Sequence, residues 1–159
     1  MAPTLVGTSE TPPSAETPDR LIVNKWIYRF QEPRRGDLVI FRTGSDIFIK
    51  RIVGLPGETL DIESPFVMID GEHLTDPPIF ETISSKQNGH NGYFRIEEID
   101  GEEARVSLPI TLGSDEYFLM GDNSARSLDS RYFGPIKRND ILGKAIRIYY
   151  PLSRIGELE

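Results

Sequence analysis

Short apolar runs separated by Gly, Pro, Asn and Asp recur along this chain, and no stretch sustains the 3.6-residue apolar spacing of a capped helix. Arg20-Leu21-Ile22-Val23 is the first strand-like run. Trp26 to Phe30 reads as the second, with Trp26, Tyr28 and Phe30 on one face. Gly36-Asp37 opens Leu38-Val39-Ile40-Phe41, and Asp46 to Val53 follows at close spacing. Val67-Met68-Ile69 runs into Asp70-Gly71, a two-residue hairpin signal. Tyr93 to Ile99 and Ala104 to Leu108 flank Asp100-Gly101, a second such signal. Tyr117 to Met120 and Ala145 to Tyr150 complete the set. Short strands with frequent turns predict an all-β or mostly β fold.

Strands from both ends of the chain surround a middle region, residues 63 to 113, which has its own hairpins and is expected to be an inserted lobe. Residues 8 to 19 (TSETPPSAETPD) lack apolar periodicity and read as a flexible loop. Residues 75 to 92 read as another polar, loop-like stretch. The length of 159 residues suits one domain, or a core with a small appended lobe.

Composition narrows the function classes. Hydrophobic residues make up 38% of the chain, enough for a core, yet no run approaches the roughly 20 apolar residues of a membrane span. The chain as given is therefore expected to be soluble. A net charge of −7 argues against nucleic-acid binding, which needs a basic stripe to neutralise phosphates. There is no cysteine, so thiolate chemistry and disulfides are excluded. The two histidines, His73 and His90, leave little for a zinc site or a histidine base, and His90 in Asn88-Gly89-His90-Asn91-Gly92 reads as part of a mobile, solvated loop. No metal and no cofactor are expected.

Two features carry candidate chemistry. The first is Lys50, in Asp46-Ile47-Phe48-Ile49-Lys50-Arg51-Ile52-Val53. Strand alternation puts Lys50 on the face of Phe48 and Ile52, with Arg51 on the other face beside Ile49 and Val53. An ammonium among apolar groups loses hydration, and its pKa falls from about 10.4 toward the range a general base needs. The plain alternative is a lysine that snorkels from a half-buried strand to water. The second feature is the polar cluster Gly121 to Arg131 (GDNSARSLDSR), which follows Tyr117-Phe118-Leu119-Met120. Its plain alternative is a solvated turn with local Asx and Ser capping bonds. Asp122 and Asp129 do not match the spacing of a calcium loop, and Arg126 and Arg131 offer them competing partners.

Four segments together resemble type I signal peptidases. Met1-Ala2-Pro3-Thr4-Leu5 is similar to the segment after the family's nucleophilic serine (Ser-Met-x-Pro-Thr-Leu). Lys50-Arg51-Ile52-Val53-Gly54-Leu55-Pro56-Gly57-Glu58 resembles its Lys-Arg-x-x-Gly-Leu-Pro-Gly-Asp/Glu segment. Gly121-Asp122-Asn123 with Ser127, Asp129, Ser130 and Arg131 matches Gly-Asp-Asn-x-x-x-Ser-x-Asp-Ser-Arg, and Pro33-x-Arg35-Gly36-Asp37 is similar to a further family segment. The four stand in family order, and residues 63 to 113 add little to the match.

The resemblance implies a mostly β fold: an antiparallel β-sheet catalytic core, residues 1–62 and 114–159, with a smaller variable β lobe inserted at 63–113. It implies a serine endopeptidase that removes signal peptides from secreted preproteins after an Ala-x-Ala-like site. Lys50 takes the place of the general base, and Ser127 that of the hydroxyl orienting it. Asp129 with Arg131, and Arg51 with Asp122, look like supporting ion pairs, the plain alternative being surface pairs of little energetic weight. Met1, Leu5, Ile40, Phe48 and Ile49 would line the substrate pockets, the plain alternative being ordinary β core. The family's serine falls one position before Met1, so these 159 residues lack it and are expected to be inactive by themselves. The resemblance further implies signal peptides and a membrane lipid surface as partners. In the full-length protein, the domain would be membrane-anchored on the extracytoplasmic face.

Three rival readings stand beside this one: a non-catalytic relative that binds peptides in the same groove, a self-cleaving serine–lysine protein of the repressor type, and a structural β module on a membrane. No Ala-Gly cleavage segment or DNA-binding region supports the second. The third rests on Trp26, Tyr28 and Phe30 as an aromatic edge.

Overall fold

A computed structural model describes residues 19–96 and 106–158. In chain order the strands are β1 (Arg20–Asn24), β2 (Leu38–Thr43), β3 (Asp46–Gly54), β4 (Thr59–Glu63), β5 (Phe66–Ile69), β6 (Glu72–His73), β7 (Ile110–Thr111), β8 (Glu116–Met120), β9 (Ile136–Lys137), β10 (Ile141–Tyr150) and β11 (Gly156–Glu157). Two short helices join them, α1 (Ile79–Ser84) and α2 (Ser130–Phe133).

Among the described residues the strands form two antiparallel sheets. The larger runs β1-β10-β2-β3-β8-β9, with β11 also paired to β10. The smaller runs β6-β5-β4-β7. The fold is thus mostly antiparallel β. β4 spans the expected core–lobe boundary at residues 62 and 63 and pairs wholly within the smaller sheet.

Alternation along the central strands builds a core on each face of the larger sheet. Val39, Phe41, Ile52 and Leu119 point one way, into a cluster closed by Tyr28, Tyr117, Ile136 and Ile141. Val53, Phe118 and Met120 point the other way and meet Leu60, Ile62 and Val67 of the smaller sheet, with Phe80 and Ile83 of α1. This shared core fastens the two sheets together by burial of apolar area.

The Asp70-Gly71 hairpin forms as expected. Ile69 pairs with Glu72, and Asp70 (φ 51°) and Gly71 (φ 85°) both take the left-handed conformation of a two-residue turn. Other expectations need correction. Trp26 to Phe30 is not a strand but contains a 3₁₀ turn, Ile27–Arg29. Asn24 Oδ1 accepts from the backbone N–H of Trp26 (3.0 Å) and Ile27 (3.1 Å), so the side chain curls the chain away from β1. Tyr28 is consequently buried while Trp26 and Phe30 are exposed, and the three share no strand face.

Residues 75 to 92 are not all loop, because α1 lies within them. Its buried Phe80 and Ile83 have helical spacing, but two positions are too few to register as a period. β4 is a strand beyond those the sequence pattern predicts. Residues 93–96, the described start of the hairpin expected around Asp100-Gly101, are not strand, and residues 97–105 lie outside the described residues. Of the loop expected at 8–19, only Asp19 is described, and its side chain is buried and ion-paired with Arg154 at 3.2 Å. Met1 and Leu5 also lie outside the described residues.

Candidate active site

β3 presents Lys50 from the middle of the larger sheet. Its cross-strand neighbour is Val39, and its face carries Phe48 and Ile52, as alternation requires. On its other side β3 pairs with β8 from Arg51 onward, so Lys50 stands where that pairing ends and Gly121 begins the polar cluster. The lysine does not snorkel to open water. Its Nζ donates to Ser127 Oγ at 2.7 Å. Burial lowers its pKa from the usual lysine value, and the charge of Arg131 adds to the effect, while Asp129 and Asp122 oppose it.

The cluster after β8 is not a solvated turn. Asp122, Ser124, Ser127, Asp129, Ser130 and Arg131 are all buried. The chain folds back on the end of β8 through side chains instead of a strand ladder. Ser130 Oγ accepts from Leu119 N at 3.0 Å, and Asp129 Oδ2 accepts from Gly121 N at 3.0 Å. Asp129 also caps α2, accepting from Arg131 N.

Two ion pairs hold this arrangement, and neither is a surface pair. Arg51 Nε and Nη2 donate to the two carboxylate oxygens of Asp122, each at 2.8 Å, and Nη1 donates to Gly36 O at 2.7 Å. Arg131 grips Asp129 in the same bidentate way, at 2.8 and 2.9 Å. The Arg131 guanidinium also donates to Ser124 O (2.7 Å), Ser124 Oγ (2.9 Å), Phe94 O (2.8 Å) and Ser127 O (3.3 Å). Each guanidinium nitrogen of these buried cations thus faces an acceptor, the condition for burying charge at tolerable cost. Burial alone would lower the Arg51 pKa, but the hydrogen bond and charge of Asp122 outweigh it and the net shift is upward.

The expected pocket residues divide between faces. Ile40 and Ile49 are cross-strand partners on one face, both half-buried. Phe48 lies on the lysine face, its ring packed with Phe41 (5.9 Å between centroids) and Phe133 (5.7 Å). Among the described residues, Asp46 to Lys50 of β3 have no strand partner on the β8 side, beside Lys50.

The pairing of Arg35 with Glu58, the packing of Phe133 and the burial of His90 carry no local sequence signal. Arg35 and Glu58 form an ion pair, and Glu58 Oε2 also accepts from Leu55 N at 2.7 Å, tying the Arg-Gly-Asp and Leu-Pro-Gly-Glu turns together. Phe133 was not singled out. His90 was placed in a solvated loop, but it is buried, with Nδ1 3.3 Å from the carbonyl oxygen of Asp122. Its Asn-Gly surroundings gave no sign of this, because the contact crosses 32 positions of sequence. His73 is exposed and stacks on Phe66. Asp122 and Asp129 are occupied by arginines, and no group of three or more His, Cys, Asp or Glu gathers for a metal among the described residues.

The site is thus a half-buried lysine held against a serine hydroxyl in a mostly antiparallel β domain, braced by two arginine–carboxylate pairs. The profile of the family "Signal peptidase, peptidase S26" matches residues 1–150, and the chain belongs to that family of signal-peptide-processing proteases. It is 33% identical over 156 residues to a signal peptidase I of Leptolyngbya laminosa, covering 92% of this chain and 67% of the relative. It is 34% identical over 134 residues to signal peptidase I V of Bacillus subtilis, covering 82% of this chain and 75% of that protein. A crystal structure of a signal peptidase I from Enterococcus faecalis superposes with a TM-score of 0.52 at 31% identity, over 72% of this chain and 97% of that one. The chain therefore spans about two thirds to three quarters of the length of these two sequence relatives.

Proposed function

We propose that this chain is the catalytic portion of a signal peptidase I that cuts signal peptides from secreted preproteins after an Ala-x-Ala-like site. The contact between Lys50 Nζ and Ser127 Oγ, made by a lysine whose pKa burial lowers, carries this reading. A serine immediately before Met1 is the nucleophile. Neutral Lys50 takes the proton from its hydroxyl as that oxygen attacks the scissile carbonyl. An acyl-enzyme forms, the amine leaves with a proton, and water then releases the signal peptide. Ser127 holds the lysine in register, and the two buried ion pairs hold Ser127.

The side of β3 left unpaired among the described residues supports the substrate geometry. An extended peptide can add to such an edge by backbone hydrogen bonds while alternate side chains enter pockets. Ile40, Ile49 and Phe48 line those pockets in this reading. In this reading the smaller sheet, which β4 leads into, is the variable lobe inserted at residues 63–113. The full-length protein is anchored in a membrane with this domain on the extracytoplasmic face. No helix among the described residues is long and apolar enough to cross a membrane.

Cleavage of a preprotein with an Ala-x-Ala site tests the proposal. The comparison is between the 159 residues alone, the same chain with serine joined before Met1, and that chain carrying Lys50→Ala. Cleavage is expected only from the second. A well-folded serine-bearing chain that does not cut, with lipid present, would favour a peptide-binding relative instead.

A further inference from the structure

The stretch after α1 is built against the site in a way the serine–lysine chemistry does not itself require. His90 closes a turn, its N–H donating to Gln87 O at 3.0 Å, and its imidazole is buried with Nδ1 3.3 Å from Asp122 O. A carbonyl oxygen only accepts, so Nδ1 carries the proton in this contact. Tyr93 N then donates to Pro65 O at 3.0 Å, anchoring the stretch to the smaller sheet. Phe94 N donates to Ser124 Oγ at 3.1 Å, and Phe94 O accepts from Arg131 Nη1 at 2.8 Å. The stretch after α1 thus grips the Asp122–Ser127 loop at two places, Asp122 at its start and Ser124 within it. Asp122 adjoins Gly121, whose missing side chain makes room for Ser127 Oγ.

We propose that His90 is a positioning residue for the Lys50–Ser127 pair. Through Nδ1 it holds the Asp122 main chain, and so fixes Gly121 and the loop on which Ser127 stands. The inference rests on the serine–lysine reading above. Its physical basis is that small displacements of reacting groups are expensive, about 100-fold for roughly 1 Å. Because the contact is to a main-chain oxygen, what matters is a donor at the position of Nδ1, not an imidazole ring. Asparagine places its amide nitrogen near that position, whereas glutamine carries it one bond farther.

The test uses the serine-bearing chain and compares the parent with His90→Ala, His90→Asn, His90→Gln and Lys50→Ala, each assayed below its own thermal transition. We expect His90→Ala to lower kcat by about ten-fold with KM within about two-fold. His90→Asn should return most of that loss and His90→Gln should not. If Ala fails to fold, the Asn–Gln pair decides by itself. Equal activity of Asn and Gln, a loss confined to KM, or parent-like activity of Ala would overturn the role of His90. Lys50→Ala separates the two ideas: if it stays active, the serine–lysine reading is wrong, whereas an inactive Lys50→Ala beside a parent-like His90→Ala removes only the inference about His90.

Discussion

Gly121 leaves the space that Ser127 fills: a Cβ on Gly121 would stand 2.1 Å from Ser127 Oγ, 2.6 Å from Ser127 Cβ and 3.5 Å from Lys50 Nζ. The glycine is needed for this close approach. Gly121→Ala must push the serine off its lysine or shift the end of β8. We expect a stability loss of about 1–3 kcal/mol, the usual cost of overpacking, and a fall in kcat of about 100-fold from lost registry. Urea unfolding and steady-state kinetics on the serine-bearing chain measure the two separately. Near-parent kcat would mean that Ser127 is not held for the lysine.

Ser127→Ala removes the hydroxyl without filling the space. Lys50 then loses its hydrogen-bond partner at 2.7 Å but keeps its buried setting. The expected outcome is a drop in kcat of about 100-fold with little change in KM, because the base is present but no longer aimed. Ser127→Thr, which restores the oxygen, should recover part of it.

Burial lowers the Lys50 pKa, so activity should depend on pH in a definite direction. In the proposed mechanism the neutral amine is the base, so kcat rises with pH through the lowered pKa and levels off before the usual lysine value of about 10.4. Stability follows the same group. In the window between the lowered folded pKa and the unfolded value, the unfolded chain binds more protons, so stability rises with pH across it. Lys50→Met should remove that slope and be the more stable protein below the window, with the difference shrinking as pH rises. Thermal midpoints of the two proteins across pH measure this, and parallel curves would show that Lys50 is not desolvated.

The Arg131–Asp129 pair is buried on both sides, with side-chain exposures of 2% and 0%. Asp129→Ala would strand the guanidinium and free Gly121 N and the α2 cap together. Breaking one side of a buried pair costs about 3–5 kcal/mol. Denaturant titration should show a loss of that size, whereas Glu32→Ala, at the exposed partner of Arg138, should cost less than about 1 kcal/mol.

Local chemistry made parts of this protein legible in advance. The alternation in Asp46 to Val53 assigned Lys50 and Arg51 to opposite faces, because a strand has period two whatever surrounds it. Asp70-Gly71 specified its turn for the same reason, since the needed left-handed conformations are local. The Trp26 to Phe30 strand was misread because one side chain, Asn24, outweighed a β-like pattern. α1 escaped because a helix this short gets its stability from tertiary packing of Phe80 and Ile83, not from its own propensity.

The sequence by itself determined the mostly β class, the faces of the central strands and the residue types of the site. Only the tertiary structure decided that Lys50 meets Ser127 across 77 positions, that Arg51 and Arg131 are buried and not surface charges, and that His90 reaches Asp122 from the stretch after α1. The physical reason is range. Backbone sterics and side-chain periodicity act over a few residues, whereas desolvation, ion pairing and hydrogen bonding act on whatever the fold brings within about 3 Å.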